Sequence, residues 1–113
     1  MDEVMKQLKQ GELFSLSCDD LPWQPSTFAS GVFVKNVAIA GEFEVQLVRM
    51  EPGAQIPPHT HDLPEFIYVL EGELHLVGRI LSTGCVSIAA PGSEHTDVHS
   101  ISGCTFVLVD RPL

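Results

Sequence analysis

Basic residues are scarce in this sequence: six Lys and Arg stand against fifteen Asp and Glu, a net charge of −9. A surface that grips phosphate backbones or anionic headgroups carries the opposite sign, so nucleic-acid and membrane partners are set aside. Long apolar runs are missing too. No stretch approaches the ~20 residues that span a bilayer. The chain opens on Met1-Asp2-Glu3 with no apolar stretch behind it, which is not the pattern of a secretory leader, and a cytoplasmic location is the expectation. Cysteine is limited to Cys18, Cys85 and Cys104, an odd number with no CxxC spacing, so free thiols are expected rather than a disulfide or a zinc ribbon.

What the sequence does have is apolar residues in short runs. The hydrophobic fraction is 44% and mean hydropathy is +0.18, too apolar for a disordered chain, and 113 residues make one domain. Nine glycines and eight prolines punctuate it. Between them, Phe43, Val45 and Leu47 alternate with Glu44 and Gln46, a period of two that marks a half-buried strand. Residues 32–38, 65–71, 73–77, 85–90, 95–101 and 104–109 read the same way, and Glu71-Gly72-Glu73 is a tight reversal between two of them. Short strands at regular spacing with Gly-rich turns predict an all-β sandwich or barrel over 31–113. Residues 1–30 are expected to belong to the same domain as a helix over 2–9 and a Pro-bearing connector around Trp23. Asp2 would cap that helix, Val4, Met5 and Leu8 would share one face, and Gly11 would end it. The strand Phe66-Ile67-Tyr68-Val69-Leu70 is apolar on both faces, which calls for a second covering layer and suggests a homodimer.

The chemistry concentrates in one stretch, Gly53 to Gly72. On an extended chain His59 and His61 leave the same face ~7 Å apart at the backbone, close enough for both imidazoles to reach one ion. Pro57 and Pro58 hold the chain extended before them, and Pro64 keeps Leu63 out of the helical region after them. Glu65 opens the next strand on the side of Ile67 and Val69. Two histidines and a carboxylate from adjoining strands are a facial set for a divalent metal with open positions. His95, delivered by the turn Pro91-Gly92-Ser93-Glu94, is the candidate fourth ligand. His99 lies four residues on, hence on the same face in a regular strand, where it would serve as an acid or base beside the metal. His75 has no local partner and reads as structural, and Glu94 and Asp97 read as solvated or supporting groups. Cys85 and Cys104 read as small buried hydrophobes in preference to oxidation-sensitive groups.

At these residues the sequence resembles the cupins. Their first motif, G-x5-H-x-H-x3,4-E-x6-G, is matched at every position by Gly53, His59, His61, Glu65 and Gly72. The second, G-x5-P-x-G-x2-H-x3-N, is matched by Gly84, Gly92 and His95, but its proline is Pro91, one place late, and His99 stands in place of asparagine. Trp23-Gln24-Pro25, the displaced proline and the closing Gly103-Cys104-Thr105-Phe106-Val107 look like the cupin domain of ChrR-type anti-sigma factors. The resemblance implies a double-stranded β-helix whose interior holds one divalent metal, zinc or iron first and manganese or nickel next, through His59, His61, Glu65 and His95. It implies a small-ligand-binding or sensor role, with a non-haem dioxygenase of diketones, aromatics or thiols as the alternative. Anti-sigma activity is not expected, because the residues ahead of Trp23 contain no HxxxCxxC-type zinc motif.

Overall fold

The computed structural model describes residues 5–110. In chain order its strands are β1 (Lys6–Leu8), β2 (Gln24–Pro25), β3 (Val32–Ala40), β4 (Phe43–Met50), β5 (Gln55–Ile56), β6 (His59–Thr60) and β7 (Glu65–Gly72). They continue with β8 (Leu74–Leu76), β9 (Arg79–Leu81), β10 (Val86–Ala89), β11 (Glu94–His95), β12 (Val98–His99) and β13 (Cys104–Asp110). A large sheet runs β1-β3-β4-β13-β7-β10, with β2 on β3; a four-stranded sheet runs β5-β12-β8-β9; β6 and β11 form a separate pair. The two larger sheets face each other over one core. Val32, Val48, Met50, Ile67, Val69 and Phe106 come from the large sheet, and Leu74, Leu76 and Val98 from the smaller. This is the all-β jelly-roll that the alternating pattern predicts. Among the described residues no helix is long and apolar enough to cross a membrane.

The predicted helix over 2–9 is not there. Residues 2–4 lie outside the described residues, and Lys6–Leu8 form β1, paired parallel to β3 through Lys6↔Ala38 and Leu8↔Ala40. A two-turn helix nucleates poorly, whereas the flank of the nine-residue β3 offers unpaired backbone groups. The only helical turn among the described residues is a 3-10 turn at Cys18–Asp20, where the Asp19 amide donates to Ser17 Oγ at 3.4 Å.

Beyond it the connector is pinned to the outer face of the large sheet. Lys35 Nζ and Arg49 Cζ each lie 4.8 Å from the Trp23 ring centroid, and Lys35 donates to the Cys18 carbonyl at 2.7 Å. The other half of that face is bare: Tyr68, Leu70, Val86 and Ile88 are exposed on β7 and β10. Gly72, at φ +77, ends β7 where only glycine fits, because a Cβ there would overlap the Gly103 carbonyl oxygen.

The segment expected as one strand over 95–101 is broken in two. β12 pairs with β5 (Val98↔Ile56), and β11 pairs with β6 (His95↔His59) in the same register. Pro57 and Pro58 interrupt the ladder between them, since proline has no amide to donate. The alternation slips there: His95 and Val98, three apart, both turn inward, at 6% and 5% exposure.

Candidate metal centre

The β6–β11 pair sets His59 directly across from His95, and the ladder runs on to His61, whose amide donates to the Ser93 carbonyl at 2.9 Å. The Gly92 amide returns a bond to the His61 carbonyl at 2.6 Å, so the Pro91–Ser93 turn fixes the second strand against the first. One ring nitrogen from each of His59, His61 and His95 lies within 4.8 Å of the others. The ring centroids are 4.7, 5.2 and 4.2 Å apart and the rings meet edge-on, as rings crowding one point do. His59 Nδ1 donates to the Pro57 carbonyl at 2.9 Å, which leaves the Nε2 lone pair free. His61 Nε2 and His95 Nδ1 are 2.9 Å apart. Glu65, the first residue of β7, brings Oε1 to 3.4 Å from His61 Nε2 and 3.7 Å from His95 Nδ1.

Burial governs the electrostatics of this group. It pushes His95 down to about 4, with His61 and His59 adding to the effect, and it lowers His61, with His59 adding. Burial also pushes Glu65 up to about 7, with Asp110 adding. At pH 6 the metal-free site therefore holds a neutral His95 and a protonated Glu65 carboxyl, and their approach is not an ion pair. A divalent cation reverses that preference, because it binds neutral imidazole and ionised carboxylate together. Donor atoms held at about 2.0–2.2 Å around one tetrahedral ion stand about 3.3–3.6 Å apart. The 2.9–3.7 Å spacings among His61, His95 and Glu65 straddle that range, and a His59 nitrogen lies within 4.8 Å of the other two imidazoles, so the three histidines could hold such an ion.

Two residues differ from what the spacing suggests. His99 is not brought to this cluster. The slip at Pro57–Pro58 turns it to the outer face of the smaller sheet, where its ring stacks on His75 at 4.5 Å and its Nδ1–H donates to Asp97 at 2.8 Å. His75, without a local partner in the sequence, thus has one across the β8–β12 ladder. Asp110 is the residue that sequence reasoning missed. It pairs with Glu65 across β13–β7 and with Glu44 across β13–β4, and burial, then Glu44, raises its carboxyl to about 6. Its Oδ1 is buried with no hydrogen-bond partner among the described residues. Period two from Phe106 through Leu108 puts Asp110 on the inner face, and that was the available signal.

The family model of the ChrR cupin-like domain matches residues 12–113. The chain belongs to that family. No curated protein matches it. Among solved structures it is similar to the polyketide cyclase RemF from Streptomyces resistomycificus, at 22% identity and TM-score 0.81 over 90% of this chain and 83% of that one. It is also similar to an acetylacetone dioxygenase from Acinetobacter johnsonii, at 14% identity and TM-score 0.75 over 98% and 80%. A third is the anti-sigma ChrR of Rhodobacter sphaeroides, solved in complex with SigE, at 24% identity and TM-score 0.69 over 83% of this chain and 50% of that one. At these identities the likeness establishes a shared cupin fold.

Proposed function

We propose that this cupin domain holds one divalent transition metal through His59, His61, His95 and Glu65 and uses it to bind or sense a small molecule. The observation that carries the reading is the approach of His61 Nε2 and His95 Nδ1 to 2.9 Å with Glu65 against both. Without a cation one of those nitrogens must carry a proton toward the other; with one, both lone pairs and the carboxylate are satisfied. Zinc and iron suit three imidazoles and a carboxylate best, with manganese and nickel next. The metal when bound supplies Lewis acidity toward an oxygen or sulfur donor of the ligand. The chain's own part is positional. Pro57 fixes the tautomer of His59, and burial keeps His95 neutral.

The test is elemental analysis of protein purified without added metal, beside a His59→Ala control. Near-stoichiometric zinc or iron that falls at least tenfold in the control supports the reading; no metal in either sample overturns it. Oxygen chemistry is the second reading, favoured by the shared fold of the acetylacetone dioxygenase. Oxygen uptake by iron-loaded protein offered acetylacetone, a dihydroxyacetophenone or cysteine would move the assignment there.

The proposal includes a homodimer, with a second copy seated on the bare half of the large sheet. Tyr68, Leu70, Val86 and Ile88 are exposed there on neighbouring strands, and none is charged in a chain of net charge −9. An isologous contact places a patch on its own copy, so it forms where like charges do not meet. Light scattering at micromolar concentration should give the mass of two chains for the wild type and of one for Ile88→Lys. A wild-type monomer overturns the dimer.

A further inference from the structure

The histidines left outside the interior cluster make a second constellation. His75 on β8 and His99 on β12 are directly opposite residues of an antiparallel pair. Such residues have Cβ atoms about 4.5–5.5 Å apart, within reach of a common ion for two imidazoles. Their rings lie 4.5 Å apart and 25° from parallel. Ring lone pairs lie in the ring planes, so the stacked rings must turn about their side-chain torsions before both nitrogens meet one ion, a rotation that leaves their cross-strand backbone positions unchanged. Asp97 accepts the His99 Nδ1–H at 2.8 Å, which fixes the tautomer and leaves Nε2 as a lone-pair donor. His75 has no hydrogen-bond partner among the described residues, so one of its nitrogens is free as well. Both rings are half-buried and reachable from solvent, and the row they occupy continues into the uncharged Gln55 and Ile80. Asp97 and His99 also line an open groove of about 810 Å³, which gives room for water or another donor on the His99 side.

We infer that His75 and His99 form a second metal site, on the outer face of the smaller sheet, that takes one imidazole-preferring divalent ion such as Cu(II), Ni(II) or Zn(II). Asp97 acts in it as a positioning residue for His99. With two protein ligands instead of four groups, this site binds more weakly than the interior one and exchanges with the solvent pool. It stands on its own geometry and does not depend on the interior assignment.

The experiment is equilibrium dialysis of the full chain against Ni(II), counting bound equivalents. Wild type, His75→Gln, His99→Gln, Asp97→Asn and His59→Ala are compared. Each of the two glutamine variants should bind one equivalent fewer than wild type, whatever the interior takes up. His59→Ala should retain the outer equivalent, and Asp97→Asn should weaken it about 10–100-fold without abolishing it. Equal uptake by wild type and both glutamine variants overturns the site. A readout that needs no variant is paramagnetic broadening in wild-type protein preloaded with zinc. Substoichiometric Cu(II) should broaden the ring protons of His75 and His99 together; broadening of only one, or of neither, also overturns it.

Discussion

The five histidines of this chain fall into two groups on two sides of one sheet sandwich, and the groups differ in almost every physical respect. His59, His61 and His95 meet edge-on, with His95 buried and the Glu65 carboxyl against two of them. His75 and His99 stack nearly flat, half-exposed, with an ionisable partner that solvent also reaches. Residue type and spacing do not separate the groups, because His95 and His99 sit four apart as they would on one face of a regular strand. A slip of one step in the pleat beside Pro57 and Pro58 separates them. It lets one pair of chain segments feed a buried site from one end and an exposed site from the other.

The sharpest way to break this contrast is to truncate one ring on each side. His95→Ala should lower interior metal affinity at least about a hundredfold by removing a buried ligand, while His75→Ala leaves it unchanged. Metal content after dialysis against a weak chelator checks this; equal losses would merge the two groups into one.

A second effect is expected in the pH dependence of the metal-free protein. Glu65 has a folded value of about 7, above its ordinary 4.5, so its contribution to stability is full below 4.5 and lost as pH rises to about 7. His95, lowered from 6.5 to about 4, works in the opposite sense: its contribution is full above 6.5 and lost as pH falls to about 4. The two oppose each other between 4.5 and 6.5. In chelator, Glu65→Gln should therefore melt higher than wild type at pH 8 and alongside it at pH 4.5, and with metal present the order at pH 8 should reverse. A wild type that melts higher than the variant at pH 8 in chelator would show that Glu65 is not desolvated.

The smallest expected effect lies outside. His99→Phe keeps an aromatic ring across from His75, so stability should change by less than about 1 kcal/mol while the outer metal equivalent is lost. Denaturant unfolding with and without Ni(II) reads both quantities.

Much of this was legible in the sequence because the first metal-binding stretch is contiguous. Gly53 to Gly72 carries its own spacing, its prolines and its reversal, so the strand order near it follows from local rules. The alternation of 43–50 and the strand expected over 104–109 likewise read directly into β4 and β13. The failures were long-range. Residues 6–8 carry no strand signal of their own and become β1 only because the flank of β3 lies beside them. The orientation of His99 depends on a slip shared by two segments that sequence spacing cannot place side by side. The partner of His75 and the carboxylate beside Glu65 arrive from other strands of the finished sheets.

The place of β13 between β4 and β7 has a kinetic meaning. Without Cys104–Asp110 the pairings of the large sheet divide into two groups, β1-β3-β4 and β7-β10, each with an edge where the missing strand belongs. Every histidine of the interior cluster precedes that strand in the chain, but without it Glu65 has no β13 to lean on and the inner wall no Phe106. Closure by a late central strand over such long loops is slow compared with helical folds, and the two naked edges are templates for pairing with other chains until it happens. A chain cut ahead of Cys104 is accordingly expected to aggregate through those two edges, which light scattering of the truncated chain checks.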